Sequence, residues 1–320
     1  MAVYKSVLTF KDAAVFNKMA EELSTKDIAY IRTWEKGLGF KSASSIYEDA
    51  IEEEDKFLAT MVKKYGENSE VTRNEIGFSE LTQKYLDKGI LSANEEGILN
   101  INVMIPILAP LVNEEGLVRV GNEIRQYKYN YLKIILDADY NKISRLSEQQ
   151  EGTEKIHVAA VERQQHEIKD VGRTKALSSC ESIVGSHRLI AYEEKTAVDE
   201  GGSPCKVLRN DYYIKLRSLK KILGTWQNFK TSQFTLTSDY CLDHLNCDFT
   251  LKRNVVCFSN HGFSGGYWHT ADIPLVTNYD TGPCVSRTAN CTGIGHMVFS
   301  PGRLRRHLAT GVNGTACGLP

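Results

Sequence analysis

All eight cysteines of this 320-residue chain lie between Cys180 and Cys317, and the first 179 residues contain none. Such a chain joins a front stabilised by packing alone to a back that can be cross-linked. Structural disulfides persist at oxidising surfaces and rarely in a reducing cytosol. An even count, in a stretch rich in Gly, Ser, Thr and aromatics, reads most simply as disulfides formed outside the cytosol. On that reading Cys180, Cys205, Cys241, Cys247, Cys257, Cys284, Cys291 and Cys317 make four pairs. The short spacings Cys241–Cys247 and Cys284–Cys291 point to local pairs, although spacing does not fix connectivity. The competing reading is a cytosolic protein with free or metal-bound thiols.

The length allows two domains, each able to bury a core, so cross-links would reinforce the fold rather than replace it. A net charge of −1 argues against a general nucleic-acid binder. The balance is uneven. Residues 1–150 carry 19 Lys+Arg against 24 Asp+Glu, and the remainder carries 20 against 16. No apolar run reaches the roughly 18 residues of a membrane span. The most apolar stretch, Ile98 to Val112, is interrupted by Pro106 and Pro110. The opening Met1-Ala2-Val3-Tyr4-Lys5 has no secretory character, so export implies a signal already removed.

The front reads as helical. Phe16, Met19, Ala20 and Leu23 form an i, i+3, i+4, i+7 stripe. Ser24 to Asp27 supplies a cap for a second helix carrying Ile28, Ile31 and Trp34, which Gly37 and Gly39 end. A third helix is expected from about Ser44 to Tyr65, with Glu52 to Asp55 as a solvated face. A fourth carries Phe78, Leu81, Tyr85 and Leu86. Leu117–Val120 and Glu123–Tyr127 then flank Gly121-Asn122, a two-residue hairpin signal. Leu132 to Leu136 continues as strand, and a short helix follows over Tyr140 to Leu146.

Residues 151–179 read as a polar linker, with His157 to Val161 a possible strand and Glu162 to Lys175 exposed. Beyond it, Arg188–Val198, Phe234–Thr237, Phe249–Phe258, Ile273–Val276 and Met297–Ser300 are strand candidates. Asn260 to Gly266 reads as a turn-rich connection. Tyr212 to Leu223 fits helix or strand equally. The expected fold is α+β: a small N-terminal helical region with a β-hairpin over 1–150, then a disulfide-linked, mostly antiparallel β domain over 180–320. That domain would be a sandwich or an irregular barrel.

Several segments contain the letters of functional sites. Gly262-Phe263-Ser264-Gly265-Gly266 spells a nucleophile elbow, but an elbow needs a helix after the serine, and Tyr267 to Pro274 has no helical pattern. Cys241, His244, Cys247, Cys257 and His261 have ligand types suited to zinc, at spacings unlike a finger or ribbon. Cys257 with His261, His269 or His296 would make a thiol–imidazole pair if the groups meet. Arg303 to His307 is a compact basic patch, and Asn290-Cys291-Thr292 and Asn313-Gly314-Thr315 are formal glycosylation sequons. The strongest binding candidate is Asn260, His261, Trp268, His269 and Asp272, an aromatic and polar cluster on a glycine-rich stretch suited to sugar or peptide contact.

A resemblance adds to this. Phe10-Lys11, Trp34-Glu35-Lys36 running to Gly39-Phe40-Lys41-Ser42, Asn113-Glu114-Glu115-Gly116, Val120-Gly121-Asn122 and Ile124-Arg125-Gln126-Tyr127 resemble a family of uncharacterised secreted proteins and lipoproteins of Bacteroidota. The likeness covers roughly residues 8–136, with a looser one around Trp226 and His261 to His269. It implies export, in a secreted or lipid-anchored state. That family brings no established activity, so no site residue is carried over. The leading expectation is a secreted or cell-surface, non-catalytic binding protein for a glycan, peptide or host-surface ligand, without cofactor. The alternatives are an extracytoplasmic hydrolase with a Ser or Cys nucleophile and His, and a structural component of the cell surface.

Overall fold

A computed structural model describes residues 1–24, 26–66, 69, 71–165, 179–200, 208–229, 234–243, 256–265, 270–280, 298–300, 306–308 and 315–317. The chain divides into two compact units. The first is Met1–Val161 with Leu219–Asn228, and the second is Glu162–Ser218 with Phe229–Pro320.

The first unit begins with strands, where helix was expected. β1 (Ala2–Tyr4) and β2 (Val7–Phe10) pair antiparallel across Lys5-Ser6. Both turn residues have positive φ, 49° and 61°. Two left-handed residues give the turn a twist that matches the strands it joins. Helices follow: α1 (Ala13–Ser24), α2 (Ile28–Leu38), α3 (Ala43–Tyr65), α4 (Arg73–Ile76) and α5 (Glu80–Asp87). Next come β3 (Leu91–Ala93) and β4 (Leu99–Ile101), a separate two-stranded sheet, and a 3-10 turn over Pro106–Leu111. β5 (Leu117–Val120), β6 (Glu123–Tyr127), β7 (Tyr131–Ile135) and β8 (Ile156–Ala160) complete a six-stranded sheet in the order β1-β2-β5-β6-β7-β8. Only the β2–β5 neighbours run parallel.

Local chemistry explains most of these ends. Asp27 caps α2 by accepting from the Tyr30 amide at 2.8 Å, and Gly39, left-handed at φ 64°, ends it. Ser42 caps α3, accepting from the Ser45 amide. The β5–β6 hairpin turns on Gly121 at φ 60°, first of its two central residues, where only glycine is unstrained. Asn113 Oδ1 accepts from the amides of Glu115 and Leu117, shaping the turn into β5. Gly116 closes that turn at φ 77°, where a Cβ would come within 2.6 Å of the Tyr127 carbonyl.

The second unit is built from strands. β9 (Glu162–Gln165), β10 (Ser179–Val184), β11 (His187–Asp199) and β12 (Leu208–Ile222) form one sheet, with β9 on β11 and β16 (Thr270–Asp280) on β12; the last four residues of β12 belong to the first unit, where they pair with β13 (Thr225–Asn228). β14 (Phe234–Asp243) lies between β15 (Val256–Gly265) and β17 (Val298–Ser300), and β18 (Arg306–Leu308) pairs with β19 (Thr315–Cys317). The chain is thus α+β, with helices at the front and mostly antiparallel sheets. No sheet among the described residues closes into a barrel. Tyr212 to Leu223 resolves as strand. β8 and β9 both lie in the stretch read as a linker, and residues 166–178 lie outside the described residues. β15 extends to Gly265, through glycines that had read as a turn.

The first unit buries polar groups at its helix junctions. Tyr47 on α3 donates to the Leu99 carbonyl, and Asn228 Nδ2 donates to both Tyr47 Oη and the same carbonyl. These bonds tie the tip of the β12–β13 hairpin to α3 and β4. Arg73 forms a 2.6 Å ion pair with Glu54, both nearly fully buried, and its guanidinium lies 4.0 Å from the Phe78 ring centre. Glu35, 4% exposed at the end of α2, is a buried carboxyl. Burial raises its pKa above the usual carboxylate range, outweighing hydrogen bonds from Ser42 and the field of Arg32. The folded state therefore binds a proton more tightly there than the unfolded chain. This contribution stabilises most below the unfolded pKa of about 4.5 and is lost as pH rises through the raised native value. Glu35→Gln should gain stability relative to wild type as pH is raised from 4 to 8 (a range chosen to bracket the usual carboxylate pKa of roughly 4) in urea melts. An unchanging difference across that range would show that Glu35 titrates normally.

Candidate functional site

The five residues of the expected binding cluster lie along one strand–connection–strand segment of the second unit. Asn260 and His261 are on β15, and Asp272 is near the start of β16. Trp268 and His269 fall in the short connection between the two strands, outside the described residues. β15 and β16 belong to different sheets, so the connection passes from one sheet to the other.

The ladder is interrupted at this segment. Ser238 pairs with His261 and Tyr240 with Phe258, so Asp239 on β14 faces both Ser259 and Asn260. Two residues opposite one is a β-bulge, which breaks pairing locally and bends the strand. A second irregularity lies on β16. Tyr212 pairs with Val276 and Tyr213 with Pro274, leaving Leu275 as the extra residue. Pro274 has no amide hydrogen to give a regular ladder, and a bulge is where a sheet tolerates that.

Asp272 pairs in register with Lys215 of β12. That position belongs to a row which the sequence pattern did not single out as a site. Along β12 the alternate residues Arg209, Asp211, Tyr213, Lys215 and Arg217 share one face. Arg209, Asp211 and Tyr213 are 3–4% exposed, and Arg217 is 9%. Arg209 grips Asp211 through Nε at 2.8 Å and Nη2 at 3.0 Å, with Glu200 at 3.4 Å. On the neighbouring strands Arg163 of β9 pairs with Glu194 of β11 and donates to Tyr213 Oη at 3.2 Å. Glu194 is 2% exposed. The second unit thus carries a buried, charge-paired sheet face, and the register places Asp272 beside it. The signal in the sequence was the alternation Arg-x-Asp-x-Tyr-x-Lys-x-Arg over 209–217.

The other motifs separate as follows. Ser264 lies inside β15, paired with Thr235, and the next described element is a strand, so the elbow's helix is not found. Cys241 and Cys257 occupy opposed positions on β14 and β15. His244, Cys247, Cys205, Cys284, Cys291 and His296 lie outside the described residues, as does most of the basic patch and of both sequons. Cys180 is on β10 and Cys317 on β19. Among the described residues no group of three or more His, Cys, Asp or Glu is placed to hold a metal ion. No described helix is long and apolar enough to cross a membrane.

No protein-family model matches the chain, and no curated protein matches it. Among solved structures, a DUF4848 family protein from Bacteroides thetaiotaomicron VPI-5482 aligns over 88% of this chain and 95% of its own, at 12% identity and a TM-score of 0.31. A likeness this slight carries no argument about fold or activity.

The ion pairs of the β12 face make a stability prediction. Removing one partner of a buried pair leaves the other desolvated, at a cost of about 3–5 kcal/mol, whereas replacing both with apolar groups is often close to neutral. Asp211→Ala should therefore lower stability by about 3 kcal/mol in urea denaturation. Arg209→Met combined with Asp211→Leu should recover much of that loss. A double variant as unstable as the single one would show that the pair itself contributes the stability.

Proposed function

We propose that this chain is a secreted or cell-surface, non-catalytic binding protein whose ligand, a glycan or a peptide, sits on the segment from Asn260 to Asp272. The observation that carries this reading is the β-bulge at Ser259 and Asn260, immediately before His261. A regular ladder uses its backbone groups within the sheet; a bulge frees some of them and re-aims a side chain. The short connection after β15 then carries Trp268 and His269 between two scaffolding strands, a common arrangement for recognition loops. An aromatic face beside Asn, His and Asp suits a pyranose ring or an extended peptide. Export accords with the cysteine distribution and with the resemblance of residues 8–136, and on this reading the cysteines are oxidised in pairs. A hydrolase reading has less support, because Ser264 lies within a strand rather than at a strand-to-helix turn.

The test is a glycan and peptide array with the full chain, followed by Trp268→Ala. A central aromatic anchor often contributes about 2 kcal/mol or more, so the substitution should weaken binding by roughly 30-fold while leaving the thermal midpoint nearly unchanged. Unfolding of the second unit by Trp268→Ala, with a bound ligand retained elsewhere by the native protein, would make Trp268 a packing residue and move the site.

A further inference from the structure

We infer that Cys241 and Cys257 form a cross-strand disulfide that ties β14 to β15 beside the bulge. The juxtaposition is one of register. Tyr240 pairs with Phe258, Cys241 with Cys257 and Leu242 with Val256, so the two cysteines sit directly opposite each other in an antiparallel ladder. Directly opposed residues in such a ladder have Cα atoms about 4.5–5.5 Å apart, and disulfides span Cα separations of about 4.4–6.8 Å. Opposed positions also fall on the same face of the sheet. The register alone thus puts the two backbones within the range that a disulfide spans.

This pairing replaces the local Cys241–Cys247 link that spacing had pointed to, and leaves Cys247 to pair elsewhere. It also has a consequence for the binding segment. The pairs running from Phe234–Gly265 to Ser238–His261 lie on the other side of the bulge from the cysteines. A covalent bond at Cys241–Cys257 fixes the register on the near side, so the extra residue cannot pass the cysteines toward Val256. The link thus bounds the bulge on the side away from His261.

The reaction balances as a thiol–disulfide exchange. One cysteine thiolate attacks a disulfide RSSR, releasing RS⁻ and forming a mixed disulfide. The second cysteine thiolate attacks that mixed disulfide at the protein sulfur and expels the second RS⁻. Two protons leave the cysteines, two electrons pass to the oxidant, and two RSH are formed. The oxidant is a disulfide of the extracytoplasmic thiol pool, so the inference rests on the exported reading above.

The experiment is thiol titration of the full chain, equilibrated in excess oxidised dithiothreitol, whose mixed disulfide with a lone cysteine cyclises back and leaves the thiol free, and then unfolded without reductant. It is done for wild type, Cys241→Ser, Cys257→Ser and the double variant, with a non-reducing peptide map. The expected result is almost no free thiol in wild type, one new thiol in each single variant, and none in the double variant. The map should show a peptide linking residues 241 and 257. Two new thiols in the double variant would overturn the pairing while leaving the exported, disulfide-bonded reading intact. Eight free thiols in wild type, with or without stoichiometric zinc, would overturn both.

Discussion

A strand that buries Arg209, Asp211 and Arg217 on one face must bring partners for them. In β12 the first two pair with each other, and Glu200 adds a further carboxylate to Arg209. On the adjoining strands Arg163 and Glu194 do the same, with the Tyr213 hydroxyl as an extra acceptor. An unpaired charge here would cost several kcal/mol, so a slip of one residue between β9 and β11 would be penalised at Arg163 and Glu194. The Arg209–Asp211 pair lies within β12 and does not sense the register. The cross-strand pair therefore specifies the alignment of β9 with β11, and the bond from Arg163 to Tyr213 ties β12 to it. β16 is then laid against β12 with Asp272 opposite Lys215, and this register locates one end of the proposed binding segment.

The same charges explain why periodicity failed at Tyr212 to Leu223. Pattern reading assumes that the polar face of an element meets water. On β12 the period-2 alternation runs only over 208–217, where the charged row is the buried one, and Ser218 to Leu223 breaks it. In the first unit the assumption holds along most of each helix, which made the helices legible, but it fails at Glu54, read as part of a solvated face and 4% exposed in its pair with Arg73. Asp27 and Ser42 mark the starts of α2 and α3, and Phe16, Ala20 and Leu23 are buried along α1 as their spacing requires. The Gly121-Asn122 hairpin was legible because glycine at the first turn position is a direct conformational signal. Lys5-Ser6 gave no such signal, although it adopts left-handed angles in both residues. There the turn is imposed by what surrounds it. Val7, Leu8 and Phe10 are at most 1% exposed, and the parallel β2–β5 ladder fixes where the strand must end.

The proposed binding segment was legible in composition and misread in conformation. Gly262, Gly265 and Gly266 suggested a turn because glycine lacks β propensity. In the structure two of these three lie within β15, opposite Thr237 and Phe234. Glycine in a strand interior commonly marks a bulge or a close approach of backbone, and the bulge here falls just before the first glycine. The letters that looked like a loop, and like a nucleophile elbow, therefore record an irregular strand. The chemistry assigned to Asn260 and His261 does not depend on which of these holds. Their accessibility to a ligand does, because a bulge presents them from a fixed scaffold.

Placing the proposed recognition residues at an irregular strand creates a mechanical problem. A bulge can move by one residue at little cost if the strands on either side are glycine-rich, and β15 carries glycine on the His261 side. Each such step changes the partner and the face of the residues the bulge passes. A site built there needs a pin on the other side. Among the pairs of that ladder beyond the bulge, Tyr240–Phe258, Cys241–Cys257 and Leu242–Val256, one alone can be made covalent. β17 adds a non-covalent constraint to β14, pairing Cys241 with Ser300 and Leu242 with Phe299. This β17 ladder fixes β14 but does not reach β15. The bulge therefore depends on the direct β14–β15 register, and the opposed cysteines lie where a single bond would fix that register on their side of it.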